Sequence, residues 1–251
     1  MIHPRNTIVA LAVLASAAGT ASAQTPAPAG GQTPPPMTNL LLIPKDTPRP
    51  QVIQTMQAFA QGLGVRCEFC HVDEGPGKQD FASDAKRTKT VARDMMRLTA
   101  EINGKLPAAV GKTAGDATRV QCATCHRGVA IPRQLTEILM QTMAASGAPA
   151  AVAQYRDLRT QYYGGQSYDF SEVSLVTLAQ RLHAAGKPDD AVTWLQLNLE
   201  FYPRSARAYQ LLGTVYAGKK DTDNAIKALQ KALEIDPENA QAKRQLEQLK
   251  K

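Results

Sequence analysis

Two Cys-x-x-Cys-His motifs constrain this chain of 251 residues more than any other feature of its sequence. They occupy residues 67–71 and 122–126 and contain all four cysteines. Two thiols at this spacing can each add to a vinyl group of one haem, and the histidine that follows can reach the iron from the same face. The motifs therefore predict two covalently attached c-type haems. The predicted attachment residues are Cys67, Cys70, Cys122 and Cys125, and the predicted proximal ligands are His71 and His126.

A four-cysteine zinc site and a pair of local disulfides are the alternative interpretations of these cysteines. The 51 residues between Cys70 and Cys122 exceed the spacing that is common in zinc ribbons. Neither alternative requires a histidine directly after each cysteine pair. Haem attachment is therefore the favoured interpretation.

The ligand opposite each proximal histidine is predicted to be a methionine, unless that position is open. His3 lies in the expected signal segment and His183 in the repeat region, so neither suits the role. A thioether is a soft neutral ligand that favours ferrous iron. Met56 and Met95 stand at equivalent places before the two motifs, with Met96 as a competitor of Met95. Core-filling methionines show the same spacing, so the pattern alone leaves both interpretations open.

The N-terminal residues 1–23 are typical of a secretory signal peptide. A short basic region precedes an apolar stretch over residues 8–18, and the small-residue sequence Ala21-Ser22-Ala23 resembles a cleavage site. The apolar stretch is too short to span a bilayer, so we expect no transmembrane anchor. The mature chain is expected to be soluble in the periplasm or another extracytoplasmic space. Residues 24–38, rich in Pro and Gly, predict a disordered linker.

The next region, residues 39–135, is predicted to be a dihaem domain built from helices with little regular sheet. Asp46-Thr47-Pro48 predicts a helix start with Pro at its first position, and Gly62 and Gly64 predict its end before the first motif. A second helix is predicted to begin near Ser83 or Asp84 and to end at Asn103, before Gly104. A helical connector over 136–171 follows.

A repeat of 34 residues occupies residues 172–251. In its second copy the residues at the tetratricopeptide (TPR) positions are Tyr209, Leu212, Gly213, Tyr216, Ala225, Leu229, Ala232 and Pro237. The first copy matches them 34 residues earlier except at Asn198, which replaces a small residue. Residues 239–251 predict a polar capping helix. The whole chain is thus predicted to be mainly α, with an α-helical TPR-type module after the dihaem domain.

The cysteine-containing region also resembles the cytochrome c subunit of photosynthetic reaction centres. The resemblance covers about 100 residues, one two-haem half of that four-haem subunit, and is carried by residues 39–71, 81–84, 91–97 and 120–128. It implies that Met56 is the distal ligand of the first haem and Met95 that of the second. Only two motifs are present, and the TPR module has no counterpart in that subunit. The resemblance therefore does not by itself imply photosynthesis.

Electron transfer is the function that these features favour, and the protein is not expected to be an enzyme. The expected partners are a redox protein, such as a membrane-bound electron-transfer complex or a photosynthetic reaction centre, and a protein bound by the TPR module. The net charge of +7 includes no long basic block, so nucleic-acid binding is not expected. A peroxidase-like dihaem enzyme or gas sensor with an open iron, and an interaction scaffold, are the alternatives.

Overall fold

The computed structural model describes residues 36–75 and 78–250. The expected signal peptide and most of the expected linker lie outside these residues. Within the described part the fold is mainly α, as the sequence predicts. The helices are α1 (Arg49–Leu63), α2 (Arg87–Ala109), α3 (Cys122–His126), α4 (Leu135–Tyr162), α5 (Glu172–Ala184), α6 (Pro188–Phe201), α7 (Ala206–Gly218), α8 (Thr222–Ile235) and α9 (Ala240–Leu249). Strands β1 (Val72–Asp73) and β2 (Gln79–Asp80) form one short antiparallel pair.

Helix α1 begins one residue later than the sequence predicts. Pro48 is the N-cap in an extended conformation rather than the first helical residue, and Pro50 follows in the first turn, where a missing N–H costs little. The predicted end is confirmed at Gly64, which adopts the left-handed conformation with φ of 64°. The helix therefore ends at a glycine cap, and the first motif begins three residues after Gly64.

Helix α2 differs from its prediction at both ends. It begins at Arg87, and Ser83 and Asp84 lie in the loop before it, where Lys89 of the helix binds the Ser83 carbonyl and the Asp84 carboxylate. It continues through Gly104 to Ala109. Asn103, the predicted last residue, uses its side chain to bind the backbone of Val120 instead of closing the helix.

The predicted connector contains one long helix with a sharp kink. Within α4, Gly147 has φ of 82° and ψ of 169°, which interrupts the helix before Pro149. Glycine adopts this conformation without strain, and Pro149 then stands in the first turn of the second half of the helix, where a missing N–H costs little. The second half of α4 packs on α5 and α6, and its Tyr155 is fully buried with their side chains.

The C-terminal helices form two antiparallel pairs, α5 with α6 and α7 with α8, capped by α9. Their buried side chains form a dense core that also includes Leu135, Leu139 and Tyr155 of α4. Trp194 and Leu195 of α6 are completely buried in this core. The repeat region therefore buries a continuous apolar core of its own, and burial of this kind stabilises a helical array.

None of the described helices is both long enough and apolar enough to cross a membrane.

Candidate haem sites

The first motif folds as a single 3-10 turn over Cys67–Phe69, directly after the cap of α1. The N–H groups of Cys70 and His71 both donate to the carbonyl of Cys67, at 3.2 and 3.0 Å. Cys67 is exposed and Cys70 is half-buried, and both carry free thiols. Burial raises the pKa of the Cys70 thiol, while Thr88 and Lys86 act in the opposite direction. The turn thus presents two thiols and a histidine from one compact piece of backbone.

His71 packs against one aromatic ring. The Phe81 ring meets the imidazole edge-on, with 5.0 Å between ring centroids. Burial lowers the pKa of His71, and the positive charge of Lys89 lowers it further. The neutral imidazole, which is the form that binds a metal, is therefore favoured at neutral pH. The buried Nδ1 of His71 has no hydrogen-bond partner of normal geometry among the described residues.

Side chains at the N-terminal end of α2 bind the backbone of the first motif and of the loop that carries Phe81. Lys86 donates to the carbonyl of Glu68, and Thr88 Oγ1 donates to the carbonyl of Phe69 at 2.5 Å. Lys89 donates to three successive carbonyls of the loop that carries Phe81. Sequence reasoning missed these residues, because no pattern in the sequence marks a side chain that binds a carbonyl of a distant turn.

The second motif forms the short helix α3. Its N-terminus carries a reciprocal cap in which the N–H of Gln121 donates to Thr124 Oγ1 at 3.0 Å. Arg127 and Gly128 then adopt left-handed conformations, which end the helix after His126. His126 Nδ1 lies 3.0 Å from the carbonyl of Val129. A hydrogen bond in which Nδ1 donates to that carbonyl leaves Nε2 free for iron and fixes the orientation of the ring.

Helix α1 joins the two motifs. The N–H of Gly128 donates to the carbonyl of Gly62 at 2.9 Å. A Cβ on Gly62 would lie 3.2 Å from the backbone nitrogen of Ala123, and one on Gly64 would lie 2.0 Å from the carbonyl oxygen of Gly128. The end of α1 therefore touches the second motif, and the first motif begins three residues later in the chain.

The candidate methionines lie on the two long helices of this region. Met56 is half-buried on α1, and Met95 is exposed on α2 beside the half-buried Met96. Along α2, Met95 lies between Thr88, which binds the first motif, and Asn103, which binds Val120 just ahead of the second. Helix α2 thus contacts the first motif and the segment just ahead of the second, and Met95 stands between these two contacts.

The apolar side chains around the motifs fit a large planar cofactor. Only a few of the described residues of the region are buried, whereas the apolar stripe of α2, formed by Val91, Met95, Leu98 and Ile102 at helical spacing, is exposed along its length. Large exposed apolar patches mark binding sites. The exposed large apolar residues of the region are Leu41, Leu42, Ile53, Phe69, Phe81, Val91, Met95, Leu98, Ile102, Val110 and Ile131.

A cleft also opens beside the second motif. It has a volume of about 440 Å³ and is bordered by Cys125, by Arg127 and Arg133, and by Tyr168. The Ser167 hydroxyl donates to the carbonyl of Arg127 at 2.7 Å, which ties the loop after α4 to the turn that follows His126. The free thiols, the oriented histidines and the uncovered apolar surface all fit covalently bound haem.

The alternative interpretations of the cysteines gain no geometric support. All four thiols lie in the described part of the chain, and none is joined to another. Among the described residues, no three His, Cys, Asp or Glu side chains are grouped closely enough to hold a metal ion. A four-cysteine zinc site would bring the two cysteine pairs together.

A helical fold with two Cys-x-x-Cys-His motifs and a C-terminal repeat module defines a cytochrome c-like protein with a protein-interaction module. Residues 18–177 match the family described as "Photosynthetic reaction centre cytochrome C subunit", and residues 206–239 match a tetratricopeptide repeat. The chain belongs to this reaction-centre cytochrome family. The resemblance predicted from the sequence is thereby confirmed.

Curated relatives share the cysteine-containing region. The photosynthetic reaction center cytochrome c subunit of Rubrivivax gelatinosus is 28% identical over 106 residues, which are 39% of this chain and 28% of the relative. Cytochrome c-554 of Chloroflexus aurantiacus is 38% identical over 77 residues, which are 30% of this chain and 17% of the relative. The chain thus spans less than a third of the length of either.

Solved structures of helical proteins match just under half of the chain. The second TPR domain of human RPAP3, in complex with an HSP70 peptide, is 14% identical with a TM-score of 0.34, and the match covers 47% of this chain and 92% of that one. MamA is 22% identical with a TM-score of 0.32, and the match covers 45% of this chain and 62% of that one.

Proposed function

We propose that this protein is an extracytoplasmic dihaem c-type cytochrome that relays single electrons and docks its partner through the TPR module. The observation that carries the proposal is the pairing of two intact Cys-x-x-Cys-His motifs with an apolar surface that the chain itself leaves uncovered. When bound, the haem irons supply reversible one-electron oxidation and reduction. The protein contributes the ligands, their orientation and the surroundings that set the potentials.

Each group of residues has a defined part in this proposal. The proposed thioether bonds are made by Cys67 and Cys70 for the first haem and by Cys122 and Cys125 for the second. The proposed axial ligands are His71 with Met56 and His126 with Met95. The Val129 carbonyl orients the imidazole of His126, and the Phe81 ring confines that of His71.

The proposed domains are 39–135 for the haems and 172–251 for docking, with 136–171 as the connector. The core of the repeats includes α4 residues, so the connector is expected to fold together with the docking module. The proposed partner is another redox protein, such as a membrane-bound electron-transfer complex or a reaction centre. Because the chain spans under a third of its curated relatives, the role of those whole proteins is not carried over.

The proposal is tested on the purified protein exported with its haems attached. Mass spectrometry should give two haems per chain, and a redox titration with optical detection should resolve two reversible six-coordinate low-spin centres. Met56→Ala and Met95→Ala should each convert one centre to the high-spin form, with Met96→Ala as the matched control. A high-spin centre in the unaltered ferric protein, or peroxide turnover, would favour the open-iron enzyme instead.

A further inference from the structure

A buried ammonium group lies beside the first motif. The Lys89 residue is only 8% exposed, and its Nζ donates to the carbonyls of Phe81, Ala82 and Ser83 at 2.8, 3.0 and 2.8 Å. Its fourth partner is Asp84 Oδ1 at 3.1 Å. Because Phe81 packs on His71, the cation is attached directly to the loop that confines the first proximal ligand.

The charges around this ammonium do not cancel it. Asp84 is shared with Arg93, whose Nη1 lies 2.8 Å from Oδ2 and whose side chain is 12% exposed. One carboxylate therefore faces two buried cations, and its own side chain is 40% exposed. Asp80 is a second carboxylate of this loop; it is half-buried and accepts hydrogen bonds from the N–H groups of Ala82 and Ser83, which delocalise its charge. Asp84 is screened by water more strongly than Lys89 and Arg93, and Lys86 adds a third cation at the Glu68 carbonyl, so the local field stays positive.

The second motif has a different electrostatic environment. The charged side chains that border its cleft are Arg127 and Arg133, which are opposed by Glu137 and Asp169. All four are exposed, and the two signs are equal in number. Water and salt screen charges of this kind, so their net effect on the second centre is small.

We propose that Lys89 raises the reduction potential of the first haem above that of the second, so that a single electron held by the protein resides beside His71. This inference rests on the proposed dihaem function. A ferric centre carries one more positive charge than a ferrous one, and a nearby buried cation therefore disfavours the oxidised form. Lys89 would set the order of the two centres through its charge, and it is not one of the proposed ligands.

The test measures both midpoint potentials of the haem-loaded protein by optical redox titration. Lys89→Met should lower the higher midpoint by at least 59 mV, a tenfold change in the one-electron equilibrium constant, and leave the lower one unchanged. Lys105→Met is the matched control. It removes the same charge from the same helix, but the Lys105 side chain is 76% exposed and pairs with Glu101, so both midpoints should remain.

Two further measurements apply if Lys89→Met disturbs the loop that carries Phe81. Lys89→Gln removes the charge and retains a hydrogen-bond donor, and it should reproduce the shift, whereas Lys89→Arg should retain most of the wild-type potential. In the unaltered protein reduced by one electron, NMR should show diamagnetic ring signals for His71 and paramagnetically shifted signals for His126.

The opposite assignment of the NMR signals would overturn the inference, as would a Lys89→Gln protein with unchanged midpoints or a shift confined to the lower midpoint. Failure of the proposed function looks different, because the unaltered protein would then lack two low-spin centres before any variant is made.

Discussion

The cysteine-containing region and the repeat region of this protein hold their structures together in different ways. The helices of the repeats bury a continuous apolar core that includes Trp194, Leu195 and Tyr155. Helices α1 and α2 bury little more than Val52 and Lys89, and the apolar stripe of α2 faces outward. Burial of apolar surface is the main favourable term in folding. The repeats thus have a core of their own, whereas the described part of the cysteine-containing region buries little apolar surface, and we expect the proposed haems to complete its core.

Withholding the haems should affect the two regions most differently. In the variant with all four cysteines replaced by serine, we expect α1 and α2 to lose amide-exchange protection down to the level of an unfolded chain. Helices α5 to α8 should keep theirs, since their core lies within the repeats and α4. Hydrogen exchange with mass spectrometry measures both regions in one experiment. Equal protection of α2 in the two proteins would show that the region folds without haem.

Removing the largest buried side chain should affect the repeats strongly. Trp194→Ala deletes a fully buried indole and should lower the free energy of unfolding of the repeat region by about 3–5 kcal/mol. Chemical denaturation followed by far-UV circular dichroism measures it. Val173→Ala, at an exposed site on α5, is the control and should stay within about 0.5 kcal/mol. A loss below about 1 kcal/mol for Trp194→Ala would contradict the dense core described for this region.

The glycine contact between α1 and the second motif gives the next largest effect. Gly64→Ala adds the strain of a left-handed conformation and places a Cβ 2.0 Å from the Gly128 oxygen, so we expect a loss of about 2–4 kcal/mol. Gly111 also has a positive φ, of 66°, but its Cβ would meet nothing within 4 Å. Gly111→Ala should therefore cost only about 1 kcal/mol. Thermal denaturation of the haem-loaded proteins compares the stability losses of the two variants. Equal losses would mean that the close approach to Gly128 does not contribute to the cost of Gly64→Ala.

The helix pairs of the repeats and the end of α1 follow from local sequence signals. A 34-residue period, a polar capping segment and Gly64 are sufficient to predict them, and the structure agrees. The end of α2 does not follow, because Gly104 resembles a helix stop, whereas the helix continues to Ala109 and Asn103 binds the backbone of Val120, a contact that local sequence does not reveal. The burial of Lys89 is equally unpredictable from the sequence, since a lysine on a helix is ordinarily solvated. The cysteines and histidines of the site are visible in the sequence, whereas the groups that orient them depend on long-range contacts.

An exposed leucine on α2 should contribute to stability only when haem is bound. Leu98 lies on the uncovered stripe of α2. If haem covers this stripe, Leu98→Ala should destabilise the haem-loaded protein by about 2 kcal/mol and the haem-free protein by less than about 0.5 kcal/mol. Thermal unfolding of both forms gives the difference. A loss of the same size with and without haem would show that the stripe is covered by something other than the cofactor.

The smallest effect concerns the one place where the first repeat departs from the second. Asn198 is completely buried, and neither its amide oxygen nor its amide nitrogen has a partner among the described residues, whereas the second repeat has Ala232 there. A buried polar group without a partner costs about 1–3 kcal/mol, so Asn198→Ala should stabilise the repeats by about 1 kcal/mol despite the packing it removes. The reciprocal variant Ala232→Asn should destabilise them, and denaturant midpoints compare both. Destabilisation by Asn198→Ala would instead mean that bound water satisfies the amide, so that the departure from the repeat pattern stabilises the first repeat.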